Sequence, residues 1–113
     1  MAAPTNDDAQ LMVQIARWST DLGIEEAMPE LFAEEFDPES ADLTNSAVRK
    51  VLMLGESIGT LTKHGLLSVE LVTDWLWITG LWARVGPAAR SAREQMGEPR
   101  LYENFERLAG AAG

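Results

Sequence analysis

The sequence predicts an all-α fold, a compact bundle of five to six helices, on three observations. Apolar residues recur at alternating three- and four-residue steps, most plainly in the stripe Leu71, Trp75, Ile78, Trp82, Val85, Ala89, Ala92 and Met96. Cap-forming residues (Asn6, Asn45, Ser68) precede such stretches, and glycines (Gly23, Gly65, Gly97) follow them. No run keeps the strict two-residue alternation of a half-buried strand. The length, 113 residues, suits one domain, here 6–109, flanked by flexible ends at 1–5 and 110–113.

The first helix follows a cap at Asn6, with Asp7 and Asp8 at the positive end of its dipole. It buries Leu11, Ile15, Trp18 and Leu22 and stops at Gly23. Ile24, Met28, Leu31, Phe32 and Phe36 keep helical spacing around Pro29, which predicts a turn, then a short helix with Pro29 in its first turn, ending near Asp37-Pro38. Asp37 to Thr44 reads as a linker.

From Asn45 to His64 two apolar stripes run side by side, Ala47, Val51, Leu54, Ile58, Leu61 and Val48, Leu52, Gly55, Gly59, Thr62. A helix apolar over so much of its circumference belongs in the centre. Gly55 and Gly59 each cost about 1 kcal/mol of helix propensity against alanine, which predicts close approach of another backbone. The segment capped by Ser68 then carries Trp75, Trp77 and Trp82. Pro87 should kink or break it near Gly86-Pro87. A last helix, Arg100 to Ala109, turns Leu101, Phe105 and Leu108 inward.

Composition narrows the function classes. The absence of cysteine excludes disulfides, thiolate metal sites and thiol nucleophiles, and suits a cytoplasmic home. Residues 1–47 hold eleven acids against Arg17, while residues 48–113 hold eight bases and seven acids. That field disfavours binding to phosphate backbones, so nucleic acid is not an expected ligand. The opening residues lack the basic and apolar blocks of a secretory signal. The longest apolar run, Trp75 to Val85, is interrupted by Gly80 and Arg84 and is shorter than the ~20 residues a membrane span needs.

Between about Val48 and Ala109 lie Leu54-Gly55-Glu56, Leu61-Thr62-Lys63-His64-Gly65-Leu66-Leu67, Trp82, the Arg90/Arg93 pair and Leu101-Tyr102-Glu103-Asn104-Phe105-Glu106. This pattern resembles a bacterial family of small all-helical proteins whose domain is of unknown function. The resemblance implies a glutamate-bearing helix leading through a glycine turn into a tryptophan helix, with an arginine ahead of a closing aromatic-acidic motif. Many members of that family place a transmembrane helix ahead of the domain. No stretch of this sequence is long and apolar enough to be one, so membrane attachment is not expected.

Candidate sites follow from residue type and spacing. His64, the only histidine, sits in the last turn of its helix, where a cation is favoured, and nothing near it in sequence supplies a nucleophile or acid. Glu26, Glu30 and Glu34 form a solvated acidic face or a docking face for a basic partner. They lack the Glu-x-x-His element of carboxylate-bridged metal centres. Glu56, Arg90, Arg93, Tyr102, Asn104 and Glu106 form a polar cluster if the last helix folds over the central one, either to fix helix register or to hold a small anion. Trp77, with Thr73 and Leu81, forms a second apolar face, which is an interface unless the first helix or the Phe32/Phe36 helix covers it.

These residues favour a non-catalytic helical protein–protein interaction module. It is expected to self-associate as a homodimer through Trp77, Leu81, Thr73 and the glycine-lined face, without cofactor, metal, nucleic acid or membrane. The alternative is an acidic regulator or inhibitor that binds a basic partner surface. A third reading is an anion pocket around Arg90, Arg93 and Tyr102.

Overall fold

The computed structural model describes residues 3–112. Met1, Ala2 and Gly113, parts of the two expected flexible ends, lie outside the described residues. Six helices make up the bundle: α1 (Asn6–Leu22), α2 (Ile24–Leu31), α3 (Ser46–Lys63), α4 (Val69–Trp75), α5 (Ile78–Met96) and α6 (Glu103–Ala112). Among the described residues there is no strand.

The cap of α1 is Thr5 rather than Asn6, which is already helical. The Thr5 hydroxyl accepts from the Asp8 N–H, and the Asp8 carboxylate accepts from the Thr5 N–H in return, a reciprocal capping box. Gly23 stops α1 in the left-handed region at φ 84° and also serves as the N-cap of α2. The expected turn between the two helices is this single residue, and Pro29 falls in the second half of α2, not its first turn. Pro29 cannot donate to the preceding turn, and α2 ends at Leu31, well short of Asp37-Pro38. The following segment is a series of turns in which the Asp37 and Asp42 carboxylates accept from the N–H groups of Glu39 and Thr44.

Helix α3 occupies the centre, packed most extensively on α6 and also on α2 and α5. Asn45 caps it, accepting from the Val48 N–H at 3.1 Å. At its far end Gly65 N–H bonds to Thr62 and Leu66 N–H to Leu61, with Gly65 at φ 71°. Val48, Val51, Leu52 and Ile58 from α3 meet Leu31, Val72, Val85, Phe105 and Leu108 in a core where each is essentially inaccessible. Full burial of a side chain such as Phe105 contributes about 1.5–3 kcal/mol.

The two glycines of α3 face α6. A β-carbon at Gly55 would overlap the Phe105 ring, and one at Gly59 would overlap the Asn104 carbonyl. The Phe105 ring in this slot also meets Trp82 of α5 edge-on, centroids 5.0 Å apart.

The interruption expected near Gly86-Pro87 lies ten residues earlier. Helix α5 runs through both residues, and the chain breaks at Leu76-Trp77. The carbonyl left without a donor by Pro87 belongs to Ala83, an exposed residue at which water can replace the bond. Leu76 is extended, Trp77 has φ −79° and ψ 75°, and the Ile78 N–H bonds to the Leu76 carbonyl at 2.9 Å. This is an inverse γ-turn centred on Trp77. Helix α6 begins at Glu103, later than Arg100, and extends past Ala109 to Ala112.

Substituting the α3 glycines tests this packing. Gly59→Ala should destabilise the fold by about 1–3 kcal/mol in chemical denaturation, since the obstacle is backbone and cannot rotate away. Gly110→Ala, on an open face of α6, should be neutral or stabilise by up to about 1 kcal/mol. Equal effects of the two would remove the close-approach argument.

Candidate functional site

The polar cluster divides into two linked parts at the start of α6. In the first, the Glu56 carboxylate reaches across from α3. Its Oε1 accepts from the backbone N–H groups of Asn104 and Phe105, both at 3.0 Å, and its Oε2 accepts from the Asn104 side-chain amide at 2.8 Å. Glu56 therefore caps another helix, placing a carboxylate where free N–H groups and the helix dipole favour negative charge. Asn104 Nδ2 also lies 3.3 Å from the Thr60 hydroxyl.

In the second part, Arg93 of α5 donates through Nε to the Leu101 carbonyl at 2.7 Å and through Nη1 to Glu106 at 2.8 Å. Arg90 stands 3.6 Å from the same Glu106 carboxylate, with its guanidinium 5.6 Å from the Trp82 ring centroid. Between the two parts Tyr102 takes φ 58°, a left-handed conformation that disfavours a β-carbon. Among the described residues, Arg93 Nη2 and Asn104 Oδ1 are the buried side-chain atoms left without a protein partner. With Glu56 engaged by three N–H donors and Arg93 directed at Leu101 and Glu106, the cluster's main charged groups act on one another and on α6.

The nearby exposed pair behaves differently. Arg100 hydrogen-bonds Glu103 at 3.0 Å, which holds the Glu103 carboxyl below its ordinary range and raises the Arg100 guanidinium. Such a carboxylate contributes stability above the ordinary carboxylate range and loses it as pH falls through the lowered value. Screening by solvent keeps that contribution small.

Trp77, Leu81 and Thr73 do not share a face. The break at Leu76-Trp77 puts Thr73 on α4 and Leu81 on α5. Leu81 is buried in the core, and the Thr73 hydroxyl is turned back to the Glu70 carbonyl. Trp77 alone of the three is exposed, at 67%. Its indole stacks on Phe32, centroids 5.7 Å apart and planes 17° apart, and lies over Gly80, where a β-carbon would strike the ring. The Arg84 guanidinium lies 5.4 Å from the Phe32 centroid. Phe32, Pro38, Trp77, Thr79, Gly80, Ala83 and Arg84 line an open groove of about 390 Å³. Phe32 belongs to the segment that the sequence offers as a cover for Trp77, whereas Arg84 was not legible there, because its place over Phe32 depends on how α2 meets α5.

Glu26 and Glu30 are exposed on α2. Glu34 is exposed too, but it lies beyond the helix end and does not continue their row. His64 is the exposed C-cap residue of α3. Among the described residues no group of three or more His, Asp or Glu side chains converges to hold a metal ion, and no helix is long and apolar enough to cross a membrane.

The family described as a domain of unknown function (DUF4760) matches residues 3–111, so the likeness seen from Val48 to Ala109 extends over nearly the whole chain. No curated protein and no solved structure matches it.

The cap on α6 can be tested directly. Glu56→Ala should lower stability by about 2–4 kcal/mol, since it strands N–H donors at a buried helix start, and Glu56→Gln should lose roughly half as much. Denaturant midpoints measure both. A loss under about 0.5 kcal/mol for the alanine variant would show that α6 needs no cap from α3.

Proposed function

The chain belongs to that family, and we propose that it is a non-catalytic protein–protein interaction module whose contact face is centred on the Trp77 indole. One observation carries this reading: a large aromatic side chain is two-thirds exposed and yet held in place by a turn, by Phe32 and by the bare backbone at Gly80. Tryptophan is enriched at binding hot spots, and a ring already ordered loses little rotamer freedom when a partner covers it. The engagement of Glu56 and Arg93 within the fold supports a non-catalytic role.

A different protein suits this face better than a second copy. Leu81, Gly55 and Gly59, which were expected to line a self-associating surface, are buried against this chain's own helices. A symmetric contact around Trp77 and Phe32 would also bring Glu30, Glu34, Glu35 and Asp37 of each copy towards their own images.

Site-specific photocross-linking tests the reading in cells. A photoreactive residue at Thr79, beside the groove, should yield a discrete adduct with another protein. The same residue at Met96, about 25 Å along α5 at 1.5 Å per residue, should not. Trp77→Ala should abolish the adduct, and mass spectrometry should identify its second component. An adduct of twice the chain mass would instead assign self-association, and equal adducts from both positions, or none, would overturn the proposal.

A further inference from the structure

We infer that the partner presents a basic segment, with a lysine or arginine side chain laid against the exposed part of the Trp77 indole and further cations opposite the carboxylates that flank Phe32 in sequence. The inference rests on the contact-face reading above and adds the chemistry of the occupant. Between Arg17 and Arg49 the chain holds nine carboxylates and no lysine or arginine, and all nine carboxylate residues are exposed. Phe32 lies in the middle of that stretch, between Glu30 and the Glu34-Glu35 pair, and forms one wall of the groove. Pro38, directly after Asp37, forms another part of it. Arg84 is the one charged residue in the groove lining and is engaged over Phe32, while the exposed chain on either side of Phe32 is acidic only, which favours a ligand that is apolar along its stem and positive at its end.

The molecule already pairs rings with cations in this way. Arg84 lies over Phe32 and Arg90 over Trp82, at 5.4 and 5.6 Å from the ring centroids. Tryptophan offers the strongest ring for such a contact, and Trp77 is the most exposed of the large apolar side chains. Arg84 has its own place over Phe32, so an incoming cation is directed to the indole and to the surrounding carboxylates. An acidic ligand could use Arg84 but would meet the exposed carboxylates next to Phe32 and Pro38 in the chain, Glu30, Glu34, Glu35 and Asp37.

The test is a titration of the full chain, labelled with nitrogen-15, in which the four tryptophan indole N–H signals are followed by NMR. Trp77→Phe assigns the Trp77 signal. The probes are hexaarginine, hexalysine and hexaglutamate, each at about 0.01 M and about 1 M salt, between which the screening length falls from about 30 Å to about 3 Å. Both basic peptides should shift the Trp77 signal at low salt, hexaglutamate should leave it in place, and high salt should weaken the binding roughly tenfold or more. The triple variant Glu30→Lys, Glu34→Lys, Glu35→Lys should lose the shift while the buried Trp82 signal keeps its position, which reports an intact fold.

A shift produced by hexaglutamate, a response indifferent to salt, or undiminished binding by the triple variant would overturn the inference. If neither basic peptide moves Trp77 while the Thr79 adduct still forms and still needs Trp77, the basic occupant is wrong and the contact face stands. If both the shift and the adduct are absent, both readings fall.

Discussion

The fold turns on how closely α6 can approach α3, and one carboxylate fixes that approach. Glu56 satisfies the Asn104 and Phe105 N–H groups at the start of α6, while Gly55 and Gly59 on the same helix leave room for the Phe105 ring and the Asn104 backbone. The two features need each other. The carboxylate reaches the amides only because no β-carbon holds the helices apart, and the bare face avoids becoming a void because Phe105 fills it. Arg93 ties the loop before α6 to α5 through the Leu101 carbonyl and continues to Glu106, so α3, α5 and α6 meet at one polar junction beside the core. A left-handed Tyr102 at that junction is an outlay of about 1–2 kcal/mol that the surrounding bonds offset.

Much of this junction was legible in the sequence. Two glycines four apart on a helix apolar over most of its circumference called for a close neighbour, and the charged and amide residues near the chain's end matched Glu56 and the two arginines in kind. What the sequence did not convey was the pairing. Arginine's fork suits either Glu56 or Glu106; both arginines meet Glu106, and backbone amides take Glu56, because the start of any helix offers N–H donors that carry no residue signature.

The break before α5 was misplaced for a related reason. Trp75 and Ile78 are three apart, so a helical stripe passes over Leu76-Trp77 without missing a step, and neither residue is a glycine or proline. Gly86-Pro87 looks like a break but lies where the orphaned carbonyl is close to water. The spacing therefore groups Trp77, at the true break, with Leu81 and Thr73 on a helix face that the fold does not form. In the same way Pro29 suggested a helix beginning, whereas Gly23 had already begun one and Pro29 helps to end it.

The Glu56 contacts also bear on the order in which the chain can complete itself during synthesis. Glu56 and its amide partners are 48 and 49 residues apart, so the central helix exists for roughly 2–10 s at 5–20 residues per second before the residues that cover its glycine face are made. Through that interval the slot meant for Phe105 is an open apolar furrow on a nascent chain. The first 47 residues, already synthesised, hold eleven acids against one arginine, a charge that opposes contact between neighbouring chains while the furrow is open.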